Sequence, residues 1–126
     1  TIMAVKFFKC NHCGNVIMKV VDSKVPVVCC GEKMVELTAN TEEASVEKHL
    51  PVATKTDDGN LKVEVGSVAH PMLPEHHIAF IYLETENGGM RIDLKDKPEA
   101  IFCTCSDKPI AVYEYCNLHG LWKTAL

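Results

Sequence analysis

The feature that most restricts the fold of this chain is a pair of cysteine clusters near its N-terminus. A Cys-x2-Cys motif, Cys10 and Cys13, is followed by the adjacent pair Cys29 and Cys30. A block of fewer than ~40 residues buries too little apolar surface to fold unaided, whereas metal binding supplies folding free energy directly. We therefore predict a four-thiolate metal site, distorted because adjacent cysteines can both be ligands only on a twisted backbone. Zinc and iron both accept four thiolates, so the spacing alone does not choose between them.

The cysteine count and the charge balance limit where the protein works and what it binds. Seven cysteines, an odd number, fit thiolate ligation in a reducing compartment better than a disulfide framework. The formal net charge is −4 with both signs interspersed, which argues against a nucleic-acid partner. No stretch approaches the ~20 apolar residues of a membrane span, and the opening residues lack a signal-peptide cleavage pattern. We predict a cytoplasmic protein with no nucleic-acid and no membrane partner.

The apolar pattern is short and bounded by turn signals, which predicts an all-β chain. Strands are expected in the first block at 5–9, 16–21 and 25–29. A polar linker follows at 38–49, with a helical turn predicted from Thr41. Seven further strands are predicted at 52–56, 61–65, 77–85, 90–94, 100–105, 110–115 and 121–125. Their number and spacing favour an immunoglobulin-like β-sandwich over 38–126, preceded by a metal-binding domain at 1–37.

A second group of metal-ligating residues lies in this larger block. It comprises a Cys-x2-His pair and four further histidines: Cys116, His119, His49, His70, His76 and His77. His70 and His76 bracket a proline-rich loop that cannot be a regular strand or helix interior. Because successive strand residues face opposite sides, only one of His76 and His77 is expected to bind the metal. Four imidazoles and one thiolate exceed the four ligands of a closed zinc site, so we predict a centre with an open coordination position.

These motifs together resemble the desulfoferrodoxin family, the two-iron-centre superoxide reductases. The resemblance is carried over essentially the whole chain by KCNHCGN, VVCCGEKM, EKHLPV, VGSVAHPMLPEHHI and EYCNLHGLWK. It implies a desulforedoxin-like first domain whose iron is held by Cys10, Cys13, Cys29 and Cys30. It also implies a second, catalytic iron in the β-sandwich domain.

The resemblance further implies how the second centre is built and what it does. The implied ligands are four histidines in a plane with an axial cysteine: His49, His70, His76, His119 and Cys116. Glu47 and Lys48 would stand over the open sixth position, with Lys48 attracting an anion to a protein that is itself anionic. The implied activity is the one-electron reduction of superoxide to hydrogen peroxide. The implied partners are superoxide, a reduced electron donor such as rubredoxin, and a second copy in a homodimer.

Two other functions fit parts of the sequence. An electron carrier of the rubredoxin kind explains the four-cysteine block but leaves the histidine group without a purpose. A structural zinc module explains Cys-x2-Cys but requires no open position. The extra thiols Cys103 and Cys105 are predicted to be small core residues, and Trp122 is predicted to pack in the core. His77 departs from the family pattern, in which an aromatic residue is expected.

Overall fold

The computed structural model describes residues 5–104 and 107–126, and nearly all of its regular structure is β-strand. The chain divides into two compact units between Thr38 and Ala39. Each unit carries its own sheets. The prediction of an all-β fold is confirmed.

The first unit consists of very short antiparallel strands. They are β1 (Phe7–Lys9), β2 (Val16–Met18), β3 (Val28–Cys29), β4 (Glu32–Lys33) and β5 (Val35–Glu36). One sheet has the order β2-β1-β5, and β3 pairs with β4 in a hairpin. Strand β2 ends earlier than predicted because the Lys19 ammonium closes a turn, lying 3.1 Å from Asp22 Oδ1 and 2.9 Å from the Val25 carbonyl oxygen. Strands β4 and β5 were not predicted, since two-residue strands leave no apolar periodicity to detect.

The second unit is a sandwich of two antiparallel sheets. Its strands are β6 (Pro51–Lys55), β7 (Leu61–Val65), β8 (Ile78–Thr85), β9 (Gly88–Asp93), β10 (Glu99–Phe102), β11 (Pro109–Cys116) and β12 (Gly120–Ala125). The sheet orders are β10-β7-β6 and β12-β11-β8-β9. Buried residues of both sheets form one apolar cluster, with Val63 and Phe102 from one sheet and Ile81, Leu83 and Val112 from the other. The predicted β-sandwich is therefore confirmed, and all seven predicted strands are present with small differences at their ends.

The linker contains one helical turn, α1 (Val46–His49), which begins after Ser45. The predicted start at Thr41 is wrong. The Asn40 side chain binds both backbone groups of Lys123, at 3.1 and 2.9 Å, and its own N–H donates to the Leu121 carbonyl. These bonds hold the preceding segment against β12, so the helix forms only beyond them.

Cys103 is exposed, which contradicts the prediction that it is a core residue. Ala100 and Phe102 are buried while Ile101 is 56% exposed, so the odd-numbered positions of β10 face away from the core. Cys103 shares the parity of Ile101. Cys105, for which the same prediction was made, lies outside the described residues.

Within residues 5–104 and 107–126, no helix combines the length and the hydropathy needed to cross a membrane.

Candidate metal centres

The first candidate centre is formed by the four cysteines of the first unit. Sulfurs of Cys10, Cys13, Cys29 and Cys30 all lie within 4.8 Å of one another. The Cys13 and Cys29 sulfurs are 3.6 Å apart. Four sulfurs around one ion, with bonds of about 2.3 Å, would be separated by about 3.8 Å at the corners of a tetrahedron. The site therefore has the donors and the spacing for a single metal ion.

The backbone shows how two adjacent cysteines reach the same centre. Cys30 has a φ of +54° and Gly31 has a φ of +77°, both in the left-handed region. Left-handed backbone is unfavourable for a non-glycine residue and persists only where the surroundings enforce it. This turn rotates the Cys30 side chain toward the same side as that of Cys29, which is the twist expected from the sequence.

The thiols of this cluster differ in acidity for reasons visible in the loop. The backbone N–H of Cys13 is the main cause that lowers the pKa of Cys10, to about 6. The neighbouring thiol of Cys13 is the main cause that raises the pKa of Cys29 and that of Cys30. Four thiolates so close repel one another, and a bound cation would relieve that repulsion.

The second candidate centre gathers four imidazoles into a nearly square arrangement. Its donor groups belong to His49, His70, His76, His119 and Cys116, and all lie within 4.8 Å of one another. Neighbouring ring centroids are 4.6–5.0 Å apart, and neighbouring rings stand at 76–88° to each other. The opposite pair, His49 and His76, is 6.4 Å apart with rings only 29° from parallel. A tetrahedral arrangement would make all the separations equal, so the four imidazoles lie around a centre as the corners of a square do.

Two of these imidazoles are oriented by backbone carbonyls. Nδ1 of His49 lies 2.7 Å from the Ser45 carbonyl oxygen, and Nδ1 of His70 lies 2.7 Å from that of Pro71. A carbonyl oxygen only accepts, so Nδ1 carries the proton in each ring and the lone pair is on Nε2. The two Nε2 atoms are 3.2 Å apart, as neighbouring donors around one centre would be. Burial lowers the pKa of both rings, that of His70 to about 4, which keeps them neutral and able to bind a metal.

The other donors complete the group from different loops. His119 contributes Nδ1, which lies 3.1 Å from Nε2 of His49. The Nε2 atom of His76 is buried without a hydrogen-bond partner among the described residues. A buried polar atom without a partner costs free energy unless something satisfies it. A metal ion at the centre would satisfy it, so the residues fit the iron implied by the family resemblance.

Cys116 places its sulfur beside two of the imidazoles, 3.5 Å from His70 Nε2 and 3.8 Å from His119 Nδ1. It is fully buried at the end of β11. Burial is the main cause that raises the pKa of this thiol, while backbone N–H groups of Leu118 and His119 lower it. These amides would stabilise the thiolate when a metal is bound.

Trp122, predicted only as a core residue, is buried and also supports the centre directly. Its indole stacks on the His49 ring with centroids 5.1 Å apart. Its Nε1–H donates to the His119 carbonyl oxygen at 3.0 Å. One side chain therefore holds two donors that are distant in sequence.

Glu114 is a buried carboxyl group that the sequence analysis did not identify. It is fully buried, neither carboxyl oxygen has a hydrogen-bond partner among the described residues, and burial raises its pKa to about 9. Position 114 has the same parity on β11 as the core residues Val112 and Cys116. The sequence signal for its burial was therefore its position on the core-facing side of a strand that has no other charged residue.

The remaining predicted residues are located as follows. Glu47 and Lys48 are exposed on α1, directly before His49. His77 is not among the gathered donors, and its Nδ1 lies 3.0 Å from the Leu73 carbonyl oxygen. Of the two adjacent histidines, His76 is the one gathered with the other donors.

Comparison with known proteins agrees with this architecture. The desulfoferrodoxin family model matches residues 41–125. A desulfoferrodoxin from Nitratidesulfovibrio vulgaris is 46% identical over 120 residues, covering 94% of each chain. A superoxide reductase from Pyrococcus horikoshii is 36% identical over 109 residues, which cover 71% of this chain and 95% of that protein.

A solved structure resembles nearly the whole chain. The crystal structure of the superoxide reductase from Treponema pallidum superimposes with a TM-score of 0.79 at 36% identity, covering 97% of this chain and 99% of that one. The four-cysteine cluster and the cluster of four histidines with Cys116, called the His4Cys centre below, are consistent with two iron centres. The chain belongs to the desulfoferrodoxin family.

Proposed function

We propose that this protein is a superoxide reductase with two iron centres, one in each of two domains at 1–37 and 38–126. The observation that carries the proposal is the square of four imidazoles with one buried thiol beside it. The proteins named superoxide reductase among its relatives and structural neighbours support the same activity. When bound at the His4Cys centre, iron supplies one electron to superoxide, which takes up two protons from water and leaves as hydrogen peroxide.

The chain's own residues prepare the site for such an anion. Burial of His49 and His70 excludes water from one side of the centre. The same burial lowers the pKa of both imidazoles, so they remain neutral. The backbone amides of Leu118 and His119 oppose the effect of burial on the pKa of Cys116 and would stabilise its thiolate when a metal is bound. In this proposal the metal ligands are the residues gathered in the two clusters, with His77 excluded.

Lys48 is proposed to attract superoxide. After burial and the neighbouring histidines, its positive charge is one of the causes that lower the pKa of His49 and of His76, so its field reaches the site. In a protein with a net charge of −4, such a local positive charge is needed to attract an anion. Glu47 carries the opposite charge at the neighbouring position, and we assign it to the departure of product rather than to attraction.

Three further parts of the proposal concern partners and location. The electron is replaced by a reduced donor such as rubredoxin, because each turnover consumes one. A homodimer is supported by apolar side chains left exposed in the first unit, including Val20 at 88% and Val21 at 85%. A reducing cytoplasm would keep the ligand thiols Cys10, Cys13 and Cys116 available for metal, and none of them is in a disulfide.

The activity is tested by mixing reduced, iron-loaded protein with superoxide in a stopped-flow instrument. We expect one peroxide formed for each iron oxidised at the His4Cys centre. Cys116→Ser is expected to lose this reaction. If iron is bound at both centres and no peroxide forms, the protein is an electron carrier and the proposal is wrong.

The role of Lys48 is tested by comparing Lys48→Ala with Lys55→Ala. Lys55 is exposed on β6, so its removal changes the net charge equally without touching α1. Lys48→Ala should slow the bimolecular step roughly two- to fourfold at low salt and weaken its dependence on ionic strength. Equal rates and equal salt dependence in the two variants would show that Lys48 is only a solvated surface residue.

A further inference from the structure

Asn117, which lies between the donors Cys116 and His119, makes three hydrogen bonds to the segment that carries His76. Its side-chain oxygen accepts from the His77 N–H at 2.8 Å. Its side-chain N–H donates to the Glu75 carbonyl oxygen at 3.0 Å. Its backbone N–H donates to the His77 carbonyl oxygen at 3.2 Å. The residues on both sides of His76 are thus held by one asparagine.

His76 needs such support more than His49 and His70 do. The rings of His49 and His70 are each fixed by a carbonyl oxygen at Nδ1. Within the part of the chain that the structure describes, no hydrogen bond to a ring nitrogen fixes the His76 imidazole, and its buried Nε2 has no partner. The direction of this ring therefore depends on its backbone.

The backbone of His76 itself is fixed by Leu73. The two residues exchange N–H···O=C bonds of 2.9 and 3.1 Å and form an isolated β-bridge. Leu73 is half exposed and lies in the proline-containing loop, so this bridge alone leaves the loop free to move as a unit. The bonds from Asn117 are what join the loop to the end of β11.

We infer that Asn117 is a positioning residue of the His4Cys centre, which sets the direction of His76 relative to Cys116. This inference rests on the proposed ligand set, but it does not depend on superoxide being the substrate. The asparagine touches no reacting atom. It holds the backbones of the two segments that carry His76 and Cys116 in a fixed relative position. The His76 imidazole, which has no hydrogen-bond partner among the described residues, therefore still points at the centre. Residues that hydrogen-bond directly to metal ligands contribute about 10–100-fold to metal affinity, and an anchor of the flanking backbone is expected to act at the lower end of that range.

The inference is tested on the full-length, iron-loaded protein by following metal loss to a chelator. Loss from the His4Cys centre is read from its own thiolate absorption band, identified as the band that Cys116→Ser removes. Asn117→Ala is expected to lose iron about tenfold faster than the wild type. Asn87→Ala is the matched control, because the Asn87 side-chain N–H also joins two segments, by a 3.0 Å bond to Asp107 Oδ1, but lies just beyond the end of β8, away from residues 75–77. It should lose iron at nearly the wild-type rate.

A double-mutant cycle distinguishes positioning of His76 from general support of the loop. Where His76 is already removed by His76→Ala, adding Asn117→Ala should change the rate of iron loss by less than about twofold. A tenfold effect in both backgrounds, or equal rates for Asn117→Ala and Asn87→Ala, would overturn the inference. If Asn117→Ala does not fold, Asn117→Asp replaces it. The aspartate keeps the acceptor for His77 N–H and loses the donor to Glu75, so an intermediate rate is expected and a wild-type rate would also overturn the inference.

Discussion

Replacing Gly66 by alanine should disturb the segment that carries Glu47 and Lys48. Gly66 has a φ of +79°, and a Cβ added there would lie 2.6 Å from the Glu47 carbonyl oxygen and 2.8 Å from the Lys48 carbonyl carbon. Both of these atoms belong to the backbone, so a side-chain rotation cannot relieve the contact. The α1 segment or the 66–68 turn must move.

The size of the effect follows from two contributions. Alanine in the left-handed region costs about 1–2 kcal/mol. The displacement also strains the Gly66 N–H bond to the Leu50 carbonyl (2.9 Å) and the Val68 N–H bond to the Glu47 carbonyl (3.1 Å), each worth about 1 kcal/mol. We expect a loss of about 2–4 kcal/mol in the free energy of unfolding. Gly59→Ala is the matched control: its φ is +85° but nothing lies within 4 Å of the added Cβ. It should lose only the backbone contribution of about 1–2 kcal/mol.

Thermal unfolding of the iron-loaded variants measures the difference. For a domain of this size each kcal/mol corresponds to roughly 4–8 °C, so Gly66→Ala should melt at least 4 °C below Gly59→Ala. The reaction with superoxide provides a second measurement, which should slow for Gly66→Ala and remain unchanged for Gly59→Ala. Equal melting temperatures for the two variants would refute the reasoning, because they would show that the close approach at Gly66 carries no energy.

Three further predictions concern the centres themselves. Cys29→Ser should abolish the spectrum of the four-cysteine centre and leave peroxide formation largely intact, provided circular dichroism shows a folded chain; loss of both would mean that the first iron is obligatory. Cys116→Ser should remove the thiolate absorption of the second centre, and an unchanged band would show that Cys116 is not the sulfur ligand. Burial lowers the pKa of His70 to about 4, against 6.5 for an ordinary imidazole. As the pH falls, the unfolded metal-free chain therefore takes up this proton at a higher pH than the folded chain does. The urea concentration at the unfolding midpoint should accordingly fall as the pH drops from about 6.5 to about 4. The urea midpoint should depend less on pH in His70→Gln than in the wild type. An equal dependence in both proteins would show that protonation of His70 is not the cause.

Much of the second unit could be predicted because its signals are local. Strand β7 alternates buried apolar residues with charged ones, and β8 has its buried residues in an apolar run, so the existence and type of both strands are evident from the sequence. The donor residues could be grouped because histidine and cysteine are uncommon and were clustered in loops. The alternation of side chains along an extended segment predicted that only one of His76 and His77 is a ligand, and the family resemblance selected His76.

The features that escaped prediction depend on contacts between distant segments. The helical turn starts at Val46 and not at Thr41 because Asn40 is held by β12, some 80 residues away in sequence. The exposure of Cys103 follows from which face of β10 meets the core, a choice that the i, i+2 spacing leaves open. Asn117 gave no sequence signal, because a side-chain amide that binds two backbone groups looks like any loop asparagine.

The spacing of the donors along the chain also determines when each centre can form. Cys13 and Cys29 are 16 residues apart, whereas His49 and His119 are 70 apart. Closing the longer loop costs about 1.3 kcal/mol more chain entropy, and it requires the hairpin of β11 and β12, the last strands in the sequence. Because chains are synthesised from the N-terminus and their domains generally fold in that order, the thiolate centre can capture its metal while the remainder of the chain is still unfolded. The reactive centre exists only after the final strand has paired, so a chain that stops short of β12 would carry one metal site without the other.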